Sequence, residues 1–435
     1  MYLNELKKRV CEAIDARKDE IIGIGEWILD HPELGFKEVA TAKLVTEKFL
    51  SLGLKCETGL AITGVKAKAP GKSHELTVAI MGEMDAVVCP DHPRVDRQTG
   101  AAHACGHNAQ VASMLGTAFG LILSDVIKEL DGDVAFMAVP AEEFVELEYR
   151  EKLQREGKIK FFGGKQELIR LGVFDDIDLA MMVHSQANTP ERKAFIAGGS
   201  TGFIGKTVKF KGREAHAGGA PHEGINALNA AMLGLMAIHS QRETFRDEDH
   251  IRVHPIITKG GDLVNIVPAD VRVETYVRGK TLEAVLTANK KVNRALQGGA
   301  YAVGAEVEIQ ELPGYLPLNQ DPVLSELFKK NIEPLFGKEN IIEGVDMVGS
   351  TDMGDLSALM PVIQPTIGCF KGPAHSSEFT IVDEEAAYIA PAKAMAMTVV
   401  DLLFNGAREG KKIKSQFKPL FTRETYLAMW EEVLA

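Results

Sequence analysis

Leu76-Thr77-Val78-Ala79-Ile80-Met81, followed at once by Gly82-Glu83-Met84-Asp85, decides how this chain folds. A short apolar run, partly β-branched, has the composition of a strand buried on both faces. Two other runs have the same form. Residues 133–139 (DVAFMAV) lead into Pro140-Ala141-Glu142-Glu143, and residues 178–183 (DLAMMV) end at His184. Helical patterns stand between them, at 111–123 and within 146–170. Alternating strand and helix predicts an α/β domain with a largely parallel sheet. Such sheets bind ligands beyond the carboxyl ends of their strands. Asp85, Glu142, Glu143 and His184 each stand just past such an end. One acidic residue there is usually a turn or a helix cap. Four coincidences of this kind point instead to a metal site.

The octet Ala101-Ala102-His103-Ala104-Cys105-Gly106-His107-Asn108 supplies the other half of that site. Cys105 and His107 are separated by one glycine, which lets the backbone bend between them. A thiolate and an imidazole this close suit zinc, nickel or cobalt. Alone, the pair fits a buried core equally well, because cysteine is among the most buried residue types.

At 435 residues the chain exceeds one ordinary core, so two domains are expected. A net charge of −12 argues against nucleic acid or an anionic membrane as the main partner. The five cysteines, at 11, 56, 89, 105 and 369, form no spaced framework and fit a reducing, cytoplasmic setting. The charged N-terminal stretch lacks the apolar segment of a signal peptide. No apolar run reads as long enough to span a membrane.

Residues 3–29 read as one amphipathic helix, 40–52 as a second, and the charged stretch 146–170 as a solvated helical excursion. Near Gly198-Gly199 the pattern changes. Strands at 201–211, 250–258, 265–277 and 305–311 and helices at 223–240 and 282–302 follow in the order βαββαβ. This predicts a ferredoxin-like α+β domain, residues 199–312, inserted into a catalytic domain formed by 1–198 and 313–435. Gly205-Lys206-Thr207 imitates a phosphate loop, but a strand follows it rather than a helix, so that reading fails. After the insert come a helix at 322–336, a strand-like stretch at 362–370 running into Ala374-His375-Ser376, a long apolar helix at 386–404, and an amphipathic segment at 423–434.

Cys105, His107, Glu143, His184 and His375 are therefore five candidate ligands, one of them able to bridge. Such a set suits two divalent ions better than one, and two ions can activate water and polarise a carbonyl. Glu142 and Glu143, adjacent in extended chain, point to opposite sides. One can bind metal while the other serves the substrate as general base and then general acid. Asp85 is placed to orient a ligating imidazole, most simply His107.

The chain resembles the metal-dependent aminoacylase and carboxypeptidase family, a zinc-exopeptidase type of fold. The resemblance is greatest to the branch of hippurate, indole-acetyl-amino-acid and p-aminobenzoyl-glutamate hydrolases. It runs from HPELGF at residue 31 to HSSEF at residue 375. HACGH, the Glu142-Glu143 pair, GREAHAGGAPHEGINAL from residue 212, GGDLVNIVPADVRVETYVRG and GSTDMGDLSALMP carry it. The resemblance implies that Cys105, His107, Glu143, His184 and His375 hold two divalent ions (Zn, Mn, Ni or Co). It implies that Glu142 is the catalytic glutamate and Asp85 the orienting aspartate. It also implies that His216 reaches the partner's active site in a homodimer built through the inserted domain, and that Asn265 and Arg278 bind the substrate's carboxylate. Three departures stand out. Glu83 occupies a position where the branch more often has aspartate and the wider family a histidine ligand. Asn108 and Gln110 replace an acidic residue and a histidine. Residues 146–162 are inserted directly after the catalytic pair, where they are placed to shape the substrate pocket.

The expected protein is a cytoplasmic, dimetal amidohydrolase. It cleaves N-acyl or N-aroyl amino acids or small dipeptide-like amides that carry a free carboxylate, and it uses neither nucleic acid nor membrane. A noncatalytic binding protein that keeps the fold is the alternative, and the intact Glu142 and full ligand set argue against it. A metallophosphatase would need an aspartate-rich ligand set that is missing.

Overall fold

The computed structural model describes residues 2–347 and 349–434, and the chain divides into two compact units. Unit 1 comprises Met1–Gly199, Asn319–Asp346 and Asp355–Arg423, and unit 2 comprises Ser200–Leu318, Met347–Gly354 and Glu424–Ala435.

Unit 1 is built on a six-stranded sheet in the order Cys56–Leu60, Gly64–Ala69, Asp133–Val139, Thr77–Glu83, Leu179–Met181, Val362–Ile363. The last four strands are parallel, and only the Cys56–Ala69 hairpin at one edge is antiparallel. The fold is therefore α/β with a mostly parallel main sheet. Every residue of Thr77–Glu83 and Asp133–Val139 is buried, as continuous apolar runs require. The helix His107–Leu123 packs against the sheet so closely that a Cβ on Gly82 would come 2.9 Å from Val111 Cα. Gly82 thus sets how near the metal-binding helix can approach the strand that delivers Glu83 and Asp85.

Several elements differ from the sequence reading. The single helix expected over 3–29 is two helices, Tyr2–Asp15 and Lys18–Asp30. The break lets both stripes reach one partner: Ile14 abuts Gly120 and Ile21 abuts Gly116 on the His107–Leu123 helix. The stretch 362–370 is three short strands, interrupted at Pro365 and Gly368. The charged excursion is two helices, Leu147–Arg155 and Gly164–Arg170, and it is not simply solvated: Arg150, Lys165 and Glu167 are buried. A helical run over Glu385–Gln416 is long and apolar enough to cross a membrane, contrary to the expectation that no segment would be. Its apolar window is 78% buried within the protein, as a core helix should be, and the helical dihedrals are lost over Phe404–Ala407.

Unit 2 runs strand Gly202–Lys211, helix Ala227–Ser240, strands Arg252–Val253, Ile256–Lys259 and Asp270–Gly279, helix Leu282–Ala302, strand Glu306–Leu312. Its sheet is antiparallel throughout, ordered Glu306–Leu312, Gly202–Lys211, Asp270–Gly279, with both short strands pairing to the far side of Asp270–Gly279. The expected strand over 250–258 divides at His254-Pro255, since proline cannot donate to the ladder. Val208, Phe210, Val271, Val273 and Val277 form one buried face with Ala230, Ala231, Val292 and Leu296 of the helices. Lys206 lies in the first strand and pairs with Glu311 at 2.6 Å, so it cradles no phosphate.

Candidate metal centre

The ends of the parallel strands and the start of one helix bring the unit 1 candidates together. His107 opens its helix because Gly106 precedes it at φ 81°, in the left-handed region. A Cβ at Gly106 would also lie 2.8 Å from Ser185 Cβ. The chain therefore needs glycine between its two adjacent candidate ligands. Ala141, at φ 53°, makes the turn that follows the Asp133–Val139 strand and presents Glu142 and Glu143. Glu38 holds that turn: its carboxyl accepts the Ala141 N–H at 2.8 Å and meets Thr63 Oγ1 at 2.6 Å. His375, at φ 59°, is fixed by its N–H donating to Ala104 O at 2.8 Å.

Two triads share one sulfur. Ligand atoms of Cys105, His107 and His184 lie within 4.8 Å of one another, and so do those of Cys105, Glu143 and His375. Two nitrogen or oxygen ligands on one ion stand about 2.9–3.4 Å apart, and a thiolate and an imidazole about 3.6 Å. Cys105 Sγ and His184 Nε2 are 3.6 Å apart, and Glu143 Oε1 and His375 Nε2 are 3.1 Å apart. His107 Nε2 and Glu143 Oε1 are buried, and their neighbours Glu83 and His375, at 3.2 and 3.1 Å, are not aligned to hydrogen-bond them. The donor set, its spacing and these orphaned atoms all fit two divalent ions with Cys105 between them.

The imidazoles are aimed by their other nitrogens. His107 Nδ1–H donates to Asp85 O at 2.8 Å, with the Asp85 carboxylate 3.4 Å away, and His184 Nδ1–H donates to Ser185 O at 2.9 Å. Each Nε2 is thereby left as the ligand atom. Asp85 does more than orient His107, because its Oδ2 also accepts the Glu143 N–H at 2.8 Å. Burial opposes ionisation of Cys105, but the His184 and His107 imidazoles outweigh it and hold the thiol well below its usual range. Contacts with Cys105 and Glu143 push His375 up to about 11. Glu143 is pushed above the usual carboxylate range by burial and by the Cys105 thiolate. These opposing shifts arise because anionic side chains and imidazoles face one another at close range in a buried site.

Glu142 is buried, with Oε2 4.0 Å from His107 Nε2, while Glu143 turns toward His375. The two glutamates thus face different partners. The remaining candidates belong to unit 2. His216 is exposed, its Nδ1 accepting the N–H groups of Gly218 and Gly219 at 3.2 and 2.8 Å. Asn265 joins the same loop pair, its carbonyl accepting the Ala217 N–H at 2.9 Å. The Arg278 guanidinium donates to Ser350 Oγ at 2.8 Å and lies 5.2 and 5.6 Å from the ring centres of Phe203 and Tyr276. Among the described residues no carboxylate pairs with it.

Sequence reasoning missed three residues around the site. Arg150, from the charged excursion, donates to the Glu143 carbonyl and, at 2.5 Å, to Phe162 O. Glu38 braces the turn before Glu142, and Lys165 pairs with Glu83. A lysine or arginine inside a Glu- and Lys-rich stretch carries no local signal of burial, whereas Glu38 follows the HPELGF motif and was findable there.

Residues 79–400 match peptidase family M20/M25/M40, and the chain belongs to that family. It is a metal-dependent hydrolase of amide or peptide bonds. The chain is similar to "Xaa-Arg dipeptidase" of Mus musculus, 29% identical over 98% of this chain and 95% of that protein. It is also similar to "N-acyl-L-amino acid amidohydrolase" of Geobacillus stearothermophilus, 26% identical over 72% of this chain and 81% of that one. A solved Bacillus subtilis protein described as a dinuclear metal binding peptidase from the M20 family shares the fold, with TM-score 0.68 and 22% identity over 89% of this chain and 99% of that one.

Proposed function

We propose that this chain hydrolyses the amide of N-acyl or N-aroyl amino acids or of small dipeptide-like compounds, p-aminobenzoyl-glutamate among them, and releases a free amino acid. The observation that carries the reading is the pair of ligand triads joined at Cys105. Cys105, His107 and His184 would hold one ion, and Cys105, Glu143 and His375 the other. Bound there, two divalent ions would supply the charge that acidifies water and polarises an amide carbonyl. Glu142 holds the attacking water, takes its proton, and passes a proton to the departing amine, so that water is divided between the two products. Asp85 keeps the His107 ring and the Glu143 backbone in place for this.

Arg278 is the candidate for the substrate carboxylate. A partly buried guanidinium with no anionic partner among the described residues, flanked by aromatic rings, is poised for a charge-assisted bond, and Asn265 adds an amide donor. The order of unit 2 and its one-faced antiparallel sheet support reading residues 199–312 as a ferredoxin-like domain inserted between the two catalytic segments. Met232, Leu233 and Met236 on its Ala227–Ser240 helix are exposed, as are Ile256 and Ile257 on its outermost strand. Such a helix face and strand edge favour a twofold homodimer. In that dimer His216 of the partner subunit would donate to the carbonyl oxygen during attack. The five cysteines, all free, favour a reducing cytoplasm.

Chromatography of products from a panel of acyl and aroyl amino acids, with Zn, Mn, Co or Ni added, tests the reading. Amino acid is expected to be released, and substrates whose carboxylate is amidated are expected to react poorly. No release from any member with any of these metals would refute it.

A further inference from the structure

The proposed chemistry leaves one buried ion pair without a task. Lys165, on the short helix Gly164–Arg170, is fully buried, and its ammonium bonds Oε1 of the equally buried Glu83. The other Glu83 oxygen accepts Gln110 Nε2–H at 2.9 Å and stands 3.2 Å from His107 Nε2. That last contact has consequences. Glu83, His107 and Glu142 form a third cluster whose ligand atoms lie within 4.8 Å of one another, close enough to hold a cation. A cation held there would take His107 away from Cys105 and His184. It would also occupy Glu142, the group needed to move the proton. An unpaired carboxylate at position 83 would favour that arrangement, because a buried anion gains most from the nearest cation. A fixed ammonium on the same carboxylate supplies the positive charge instead and repels a divalent ion.

We propose that Lys165 is a positioning residue that keeps Glu83 engaged as an ion pair, so that the cation stays with Cys105, His107 and His184 and Glu142 remains available to the substrate. This rests on the two-ion reading above. It gives the charged excursion after the catalytic pair a definite role: the segment returns a cation to the strand end that precedes the site. It also accounts for Glu83 and Gln110 together, since the glutamine amide holds the carboxylate oxygen that faces His107.

Cobalt-loaded protein tests the proposal, because ligation by Cys105 gives a thiolate-to-cobalt absorption band that an oxygen and nitrogen site lacks. Lys165→Met is expected to lower that band per cobalt bound and to reduce kcat at least about tenfold, with KM little changed. Glu83→Gln combined with Lys165→Met removes both charges and is expected to restore the band and most of the turnover. Lys165→Arg, which keeps the charge, should stay nearer to the unaltered protein than Lys165→Met. An unchanged band and kcat in Lys165→Met would overturn the proposal, and so would a double variant no better than the single one. If Lys165→Met does not fold, the double variant decides: a band of full strength supports the role, and a lost band overturns it. A missing band in the unaltered cobalt protein refutes the two-ion site itself rather than the role of Lys165.

Discussion

Replacing Glu142 with glutamine separates shape from proton transfer at the centre of the site. The side chain is buried, and its Oε2 lies 4.0 Å from His107 Nε2, so a carboxamide occupies the same space. General acid–base catalysis contributes roughly 100- to 10,000-fold, which is about 2.7–5.4 kcal/mol of barrier. The surroundings place Glu142→Gln toward the upper end of that range. Glu83 is tied to Lys165, and Glu143 faces His375 at 3.1 Å, so neither neighbouring carboxylate is free to take over the proton. Turnover should fall by about 1,000-fold or more, while metal content and KM change little. Chromatographic measurement of released amino acid, paired with metal analysis of the same preparation, reads both quantities. A loss below about tenfold would show that Glu142 is not the base, and a loss of metal would show that it is a ligand.

Two other perturbations test the frame around that residue. Burial, with the nearby Asp85, pushes Glu38 from 4.5 up to about 8. The folded chain therefore keeps a proton that the unfolded chain has released, and this contribution is complete below about pH 4.5 and lost as pH rises through about 8. Glu38→Gln keeps both hydrogen bonds without the titration, so urea unfolding of metal-free protein should show the variant gaining on the parent by a few kcal/mol between pH 5 and 8.5, and parallel curves would contradict this. His216→Ala and Glu142→Gln dimers should each be nearly inactive. Refolded together they should recover on the order of a quarter of full activity, because about half the dimers are then hybrids with one intact site. Hybrids that form without activity would confine His216 to its own subunit or to no role.

The legible part of this chain was the part governed by short-range composition. Buried runs such as DVAFMAV can be little other than central parallel strands, and they place Asp85, Glu142, Glu143 and His184 beyond the carboxyl ends of neighbouring strands. The Cys105-Gly106-His107 spacing is equally local, since only a glycine turn lets both side chains serve one site. Long-range compensation was not legible. Nothing near Lys165 in the sequence announces that its charge turns inward, because its partner Glu83 lies 82 residues earlier, and Arg150 turns inward onto backbone carbonyls of Glu143 and Phe162, which no residue type announces. The break between the first two helices was hidden for a related reason. Their stripes continue one heptad pattern, and only the shared packing partner, with Gly116 and Gly120 facing Ile21 and Ile14, requires the bend.

The central claim is that Cys105 joins two cations in one site, and metal content tests it most directly. Protein purified without chelator and reloaded with zinc, manganese, cobalt or nickel should hold two equivalents per chain, measured by mass spectrometry. Cys105→Ala should hold at most one equivalent and lose most of its activity, because the sulfur belongs to both triads. Two equivalents and ordinary turnover in Cys105→Ala would contradict the account.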